Sequence, residues 1–166
     1  MPVDPLEAFG LFYKNNSGPV FRTLLAGTLN RAAAEDATAE AFARALAHWD
    51  TVASHPNPKA WVLRVAWNHH RSSWRRWEAR WSVDQREPSP PPPESWVDPD
   101  LVAAICGLPK GQREVIALVA FGELTPAETA GVLGRAVGAV RSQLFRARMT
   151  LRQLLAEGPG PEGRDA

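Results

Sequence analysis

The chain has 166 residues, 45% hydrophobic and 22% charged, with a net charge of +1, enough for one medium or two small globular domains. No apolar run approaches the roughly 18 residues of a membrane span, and the N-terminus lacks the basic-then-apolar pattern of a signal peptide. A cytoplasmic protein without a membrane span is expected. The single cysteine, Cys106, excludes an internal disulfide and a multi-thiolate metal centre and reads as a small buried hydrophobe.

Strand signals are nearly absent, and helix starts are frequent. Asp4-Pro5-Leu6-Glu7 reads as an N-cap, a proline at the first helical position and a glutamate closing a capping box. Leu6, Phe9 and Tyr13 then form an apolar stripe. A second helix is predicted from Pro19 to about Ala33, with Val20, Leu24 and Leu25 inward. A third is predicted from Asp36, carrying Phe42, Ala45, Leu46 and Trp49 at helical spacing. Residues 51–58 contain Ser54, Pro56, Asn57 and Pro58 and read as a loop.

The fourth predicted helix, 59–80, has two faces. Leu63, Ala66, Trp67, His70, Trp74 and Trp77 make an apolar stripe, while Arg64, Asn68, Arg71 and Arg75 make a polar, basic one. Six of the seven tryptophans fall within 49–81. Trp61, Trp67 and Trp74 read as core, whereas Trp77 and Trp81, at the basic end, are placed to stack on unpaired bases. From 82 to 99 the composition shifts to a linker, with Pro90 to Pro93 consecutive, which suits an extended, semi-rigid spacer.

A second helical block opens at Asp98-Pro99-Asp100. Its first helix ends near Gly107, and Pro109 opens another with Val115, Ile116 and Val119 inward and Gly122 as its stop. Thr125-Pro126-Ala127-Glu128 is a complete capping box, Ala130 and Leu133 face inward, and Gly134 supplies a tight turn. A long helix follows with Val137, Val140, Leu144, Ala147, Leu151 and Leu154 spaced 3, 4, 3, 4 and 3. Its other face presents Arg141, Ser142, Phe145, Arg146 and Arg148. A short capped helix, a glycine turn and a longer basic helix is the pattern of a helix-turn-helix whose second helix enters a major groove. Arg141 and Gln143 have the chemistry to read bases, and Arg146 and Arg148 to hold phosphates.

The small net charge conceals an asymmetry. Residues 59–80 hold six basic residues against one acidic, 135–152 hold five basic and none acidic, and 1–58 hold four basic against six acidic. Two separated basic segments beside an acidic one point to a polyanion bound at two places and a different partner for the acidic part.

Glu35-Asp36-Ala37-Thr38-Ala39-Glu40-Ala41-Phe42 resembles the core-binding helix of sigma-factor region two. Pro58-Lys59-Ala60-Trp61-Val62-Leu63-Arg64-Val65-Ala66-Trp67-Asn68 resembles the helix that reads the minus-ten promoter element. Leu108-Pro109-Lys110-Gly111-Gln112-Arg113-Glu114-Val115 and the stretch from Gly134 to Arg148 resemble region four, which binds the minus-thirty-five element. The resemblance covers roughly 5–80 and 100–155 and leaves no room for regions one and three, which places it in the extracytoplasmic-function class. Ala39, Ser72 and Ala139 depart from the family's usual glutamine, aspartate and threonine.

The resemblance implies an all-α fold of two small domains. These are region two over 1–81 and a region-four helix-turn-helix over 100–156, joined by the linker 82–99 and followed by a disordered tail 157–166. It implies that Asp36, Glu40, Phe42 and Arg44 dock on the clamp of RNA polymerase core enzyme. The loop 51–58 would capture a base flipped from the melting minus-ten duplex. Lys59, Trp61, Arg64, Asn68, Arg71, Arg75 and Arg76 would bind the minus-ten strand, and Arg135, Arg141, Ser142, Gln143, Phe145, Arg146 and Arg148 the minus-thirty-five element. Promoter DNA and an anti-sigma factor are the other implied partners.

No enzyme active site, cofactor or metal site is expected. His69 and His70 are adjacent and point about 100° apart on a helix, and no phosphate loop or Ser-His-Asp order stands out. Two other readings remain open. One is a helix-turn-helix regulator that does not bind polymerase, and the other is an adaptor that only sequesters a protein partner.

Overall fold

The computed structural model describes residues 1–80 and 98–157, without the side chains of 77–80. These residues are all-α: α1 (Pro5–Thr28), α2 (Arg31–Ala47), α3 (Trp49–Ala53), α4 (Pro58–Arg80), α5 (Pro99–Cys106), α6 (Lys110–Ile116), a π-helical turn (Ala117–Phe121), α7 (Pro126–Leu133) and α8 (Val137–Glu157). The stretch 82–97 of the expected linker, Trp81 and the tail 158–166 lie outside the described residues, as does the side chain of Trp77.

The first half differs from the sequence expectation at its start. One helix, α1, replaces the expected two and runs through Pro19. Proline normally pushes the preceding residue out of helical geometry, but that residue is Gly18, which has no Cβ to collide with the ring. The Asp4 side chain makes no capping bond, so the expected capping box does not form. α1 ends where Leu29 turns left-handed (φ 54°), and α2 starts at Arg31, earlier than Asp36, because the Asn30 side chain caps the Ala33 N–H at 2.9 Å.

On α2, Ala34, Ala37, Ala41 and Ala45 share one buried face, small enough to let α1 and α4 approach closely. Against it lie Val20 and Leu24 of α1 and Val62, Leu63, Ala66 and Trp67 of α4. An aromatic cluster closes one end, with Tyr13 edge-on to Phe42 at 5.0 Å and Phe12 tilted on Trp49 at 5.3 Å. Leu6, Tyr13 and Leu46, which the sequence places on apolar stripes, are exposed.

The second half follows its predicted signals more closely. Asp98 caps α5 by accepting from the Asp100 N–H at 2.9 Å. Cys106 is exposed, contrary to expectation. Ala104, Ile105 and Leu108 take the inward side, and Cys106 sits about 100° round the helix from Ile105. α6 widens into the π-turn, and the Gly122 N–H bonds Ala117 O at 3.0 Å. Gly122 itself is right-handed; the left-handed residue is Glu123 (φ 56°). The capping box at Thr125 and Glu128 forms completely, and Gly134 turns at φ 63° as anticipated. Val140, Leu144 and Ala147 of the α8 seam are buried.

The two halves meet along a shared apolar core. Gly27, in the last turn of α1, lets Trp67 and Ala117 close over it: a Cβ there would come within 2.3 Å of the Trp67 ring. The carbonyl of Gly27, left without a partner by the end of α1, accepts from Arg113 Nε of α6 at 3.2 Å. Leu63 of α4 reaches toward Gly122 on the other side, where an added Cβ would lie 3.2 Å from its methyl.

Candidate nucleic-acid interface

The segment expected to be a loop is shorter than the sequence suggests, since α3 takes residues 49–53. Two local bonds close what remains. His55 Nδ1 lies 3.0 Å from the Asn57 N–H, and Asn57 Oδ1 accepts from the Ala60 N–H at 3.2 Å, capping α4. The Asn57 amide then donates to Glu128 Oε2 at 2.6 Å, across to α7.

α4 presents its polar residues in two groups. Arg64, Asn68, Arg75 and Arg76 are exposed. Lys59 and Arg71 are drawn to the other half: Lys59 Nζ pairs with Glu123 Oε2 at 3.2 Å, and Arg71 Nη2 donates to the Leu133 carbonyl at 2.7 Å. Burial, with Arg135 and Arg75 nearby, lowers the Arg71 guanidinium below its ordinary range, against an opposing pull from Glu114. Trp61 is partly buried against the core, and Trp67 is fully buried and offers no free ring face.

His70 faces the same junction. Burial is the main cause that lowers its imidazole below the ordinary value; Lys110, His69 and Arg71 add to this and Glu114 opposes it. Across from Asn57, the Thr125 N–H holds the Glu128 carboxyl below the usual carboxylate range, and the Asn57 amide and Thr125 hydroxyl add to the effect.

α8 is more open. Arg141, Ser142, Phe145, Arg146 and Arg148 are all exposed, and among the described residues the three arginines form no ion pair. Gln143 is placed differently. Its Oε1 accepts from Arg135 Nη1 at 3.1 Å, and its amide lies over Gly111, where a Cβ would come within 2.8 Å. Arg135 also pairs with the buried carboxylate of Glu114 on α6. Arg135 and Gln143 therefore brace α8 against α6, while Arg141 is exposed.

On α2, Asp36 accepts from His69 Nε2 of α4 at 2.8 Å, and Glu40 pairs with Arg44 at 2.7 Å. Phe42 is buried against Phe12 and Tyr13 and supports the helix from beneath.

Sequence reasoning missed Asn57, Glu123 and Glu128 as residues that bond across the two halves, and His69 and Glu114 as ion-pair partners within them. Asn57 was findable, since asparagine before a proline that opens a helix is a capping signal. Glu114 and Glu123 carry no periodic signal, because their partners, Arg135 and Lys59, lie on other elements.

A helical unit with a basic helix, packed on a capped helix-turn-helix, fits a DNA-binding protein. Residues 12–80 match the family model described as Sigma-70 region 2, and residues 100–151 match Sigma-70, region 4. Among curated proteins, the chain is 33% identical over 162 residues to the ECF RNA polymerase sigma factor BldN of Streptomyces coelicolor, covering 91% of this chain and 61% of BldN. It is 32% identical over 152 residues to EcfG of Rhodopseudomonas palustris, covering 86% of this chain and 83% of EcfG. The chain belongs to the extracytoplasmic-function RNA polymerase sigma factors. Its fold is shared with the sigma factor RpoE of Bartonella quintana, solved with the anti-sigma factor NepR, at a TM-score of 0.72 and 23% identity over 90% of this chain and 97% of that one.

Proposed function

We propose that this chain binds RNA polymerase core enzyme, carries it to promoters and opens the minus-ten element, acting by binding alone without an active site of its own. The observation that carries this is the placement of two exposed basic surfaces, on α4 and on α8, in separate halves of one chain. A regulator that only binds duplex DNA needs the second surface but not the first.

In this reading Asp36, Glu40 and Arg44 on α2 meet the polymerase clamp, with Phe42 holding the helix from inside. Arg64, Asn68, Arg75 and Arg76 bind the separated strand, joined by Lys59 and Arg71, and Trp61 shapes the underlying surface. Arg141 reads bases in the duplex, Ser142, Phe145, Arg146 and Arg148 flank it, and Arg135 with Gln143 orient the helix. The two halves act as separable units, so that two weak sites on one tether gain from high effective concentration. The protein works in the cytoplasm. RpoE of Bartonella quintana is held by NepR, and an anti-sigma protein is proposed as a partner here too.

Run-off transcription tests the reading. Core enzyme with this chain should start discrete transcripts from a library of upstream genomic fragments, and core alone should not. Retention of DNA fragments by the chain without any new start site would favour a plain helix-turn-helix regulator.

A further inference from the structure

Three acidic residues stand close together on α2: Glu35, Asp36 and Glu40. Two of them are paired along their own helix, Glu35 with Arg31 at 3.0 Å and Glu40 with Arg44 at 2.7 Å. Asp36 has no such partner on α2. The residues three and four places before it are Ala33 and Ala32, and those after it are Ala39 and Glu40, the last of the same charge. On its own helix Asp36 would be repelled by Glu40 and left free to turn.

Its partner comes from α4. His69 Nε2 lies 2.8 Å from Asp36 Oδ2, and a carboxylate can only accept, so Nε2 carries the hydrogen. The two ends of this bond differ in burial: the His69 side chain is 15% exposed and that of Asp36 70%. The imidazole is held where α2 and α4 pack together, and the carboxylate stands out into solvent. An ion pair with so exposed a partner adds little to folding. What it fixes is a direction. One carboxylate oxygen takes the imidazole N–H, and the group has acceptor sites to spare for a donor from outside.

At about 100° per residue, Asp36, Glu40, Ala43 and Ala47 fall on one stripe of α2. Ala43 and Ala47 are exposed there, as Ala39 is beside them, and they offer a partner only methyl groups. We propose that His69 is a positioning residue for polymerase docking: from the helix assigned to the promoter strand, it holds the Asp36 carboxylate outward for the clamp. This rests on the assignment of α2 to the clamp made above. His69 itself stays beneath the surface and makes no polymerase contact. Asp36 is already ordered when the partner arrives, which leaves less side-chain freedom to lose on binding. Asn68, the neighbour of His69, is exposed among the strand-binding residues, so two adjacent residues of α4 serve polymerase and DNA in turn.

The test measures the affinity of the full chain for core enzyme without DNA, by anisotropy of a dye on Cys106, the single cysteine, exposed on α5. His69→Leu keeps bulk and removes the N–H. It should weaken core binding about three- to ten-fold, the net scale of one hydrogen bond. His69→Gln, whose amide brings an N–H to the place of Nε2, should restore most of the affinity. In a chain with Asp36→Ala, His69→Leu should have no further effect, because nothing remains to position. His69→Ala repeats the cycle in case leucine crowds the contact between α2 and α4. At saturating concentration the leucine variant should match the native chain in run-off transcription, since only docking is weakened.

A loss of affinity that persists in the Asp36→Ala chain means that His69 does not act through Asp36 and overturns the proposal. So does a transcription defect that remains at saturation, which places the fault after docking. His69→Leu and His69→Ala that bind core as tightly as the native chain, while Asp36→Ala binds weakly, defeat the positioning role and leave the docking assignment standing. Core binding unchanged by Asp36→Ala defeats that assignment and the proposal together, and a native chain that never binds core defeats the sigma-factor reading as well.

Discussion

α4 and α8 are the two basic helices of this chain, yet they meet their surroundings differently. α8 buries only its seam and leaves Arg141, Arg146 and Arg148 in solvent, whereas α4 is enclosed by α1 and α2 on one side and by α7 on another. A helix meant to enter a duplex groove needs one whole face open before binding. A helix that acts on a strand exposed only after melting can keep part of its face occupied until then. The proposed assignment of α8 to duplex DNA and of α4 to the melted strand fits this difference in packing.

The largest effect is expected at the point where the two helices come nearest in charge. Glu114 is buried and paired with Arg135, and it also faces Arg71 and His70 of α4. Glu114→Ala should destabilise the fold by about 2–4 kcal/mol, since it strands a partly buried guanidinium. Urea denaturation would measure this, and a loss below about 1 kcal/mol would mean that the fold does not depend on the pair with Arg135.

Gly27→Ala should cost about 1–3 kcal/mol through overpacking against Trp67, despite alanine's better helix propensity. The denaturation midpoint should fall; a rise would show that Trp67 can move aside freely.

The comparison is sharpened most directly on DNA. Arg141→Ala should relax minus-thirty-five preference by about 1–3 kcal/mol, on duplex and pre-melted templates alike. Asn68→Ala with Arg71→Ala should instead impair opening, and a template with a pre-melted minus-ten bubble should restore it. Permanganate footprinting on both templates reads the difference. Equal rescue of the two would erase the distinction between α4 and α8.

A smaller effect concerns pH. In the closed arrangement, with the two halves packed together, the imidazole of His70 is held below its ordinary range by burial and by Lys110, His69 and Arg71, with Glu114 opposing. A depressed histidine pKa means that the open chain takes up a proton more readily than the closed one. Closure is therefore fully supported above the ordinary imidazole range and weakens as pH falls through it. Energy transfer between dyes on the two halves should drop on acidification from pH 8 to pH 6, and His70→Gln should flatten that part of the response. The least perturbing probe is limited proteolysis, which should cut first within 82–99 and leave both halves intact. Resistance there would argue against separable halves.

Much of the fold was legible because its determinants are local. The Thr125–Glu128 box, the turn at Gly134 and the 3-4 seam of α8 each need only neighbours within a few residues, and each formed as expected. Where local signals competed, the sequence misled. Pro19 looked like a start but lies inside α1, and Asp36 looked like a start although Asn30 had already capped α2. The exposed arginines of both basic helices were also readable from helical periodicity. Which donors stay free was not: Lys59, Arg71 and Gln143 have the composition of nucleic-acid contacts, and each is engaged by a group on another element. Periodicity assigns a residue to a face of its own helix, because 3.6 residues make a turn wherever the helix lies. What covers that face depends on contacts between residues as distant as Asn57 and Glu128, which only the packing of the two halves brings together.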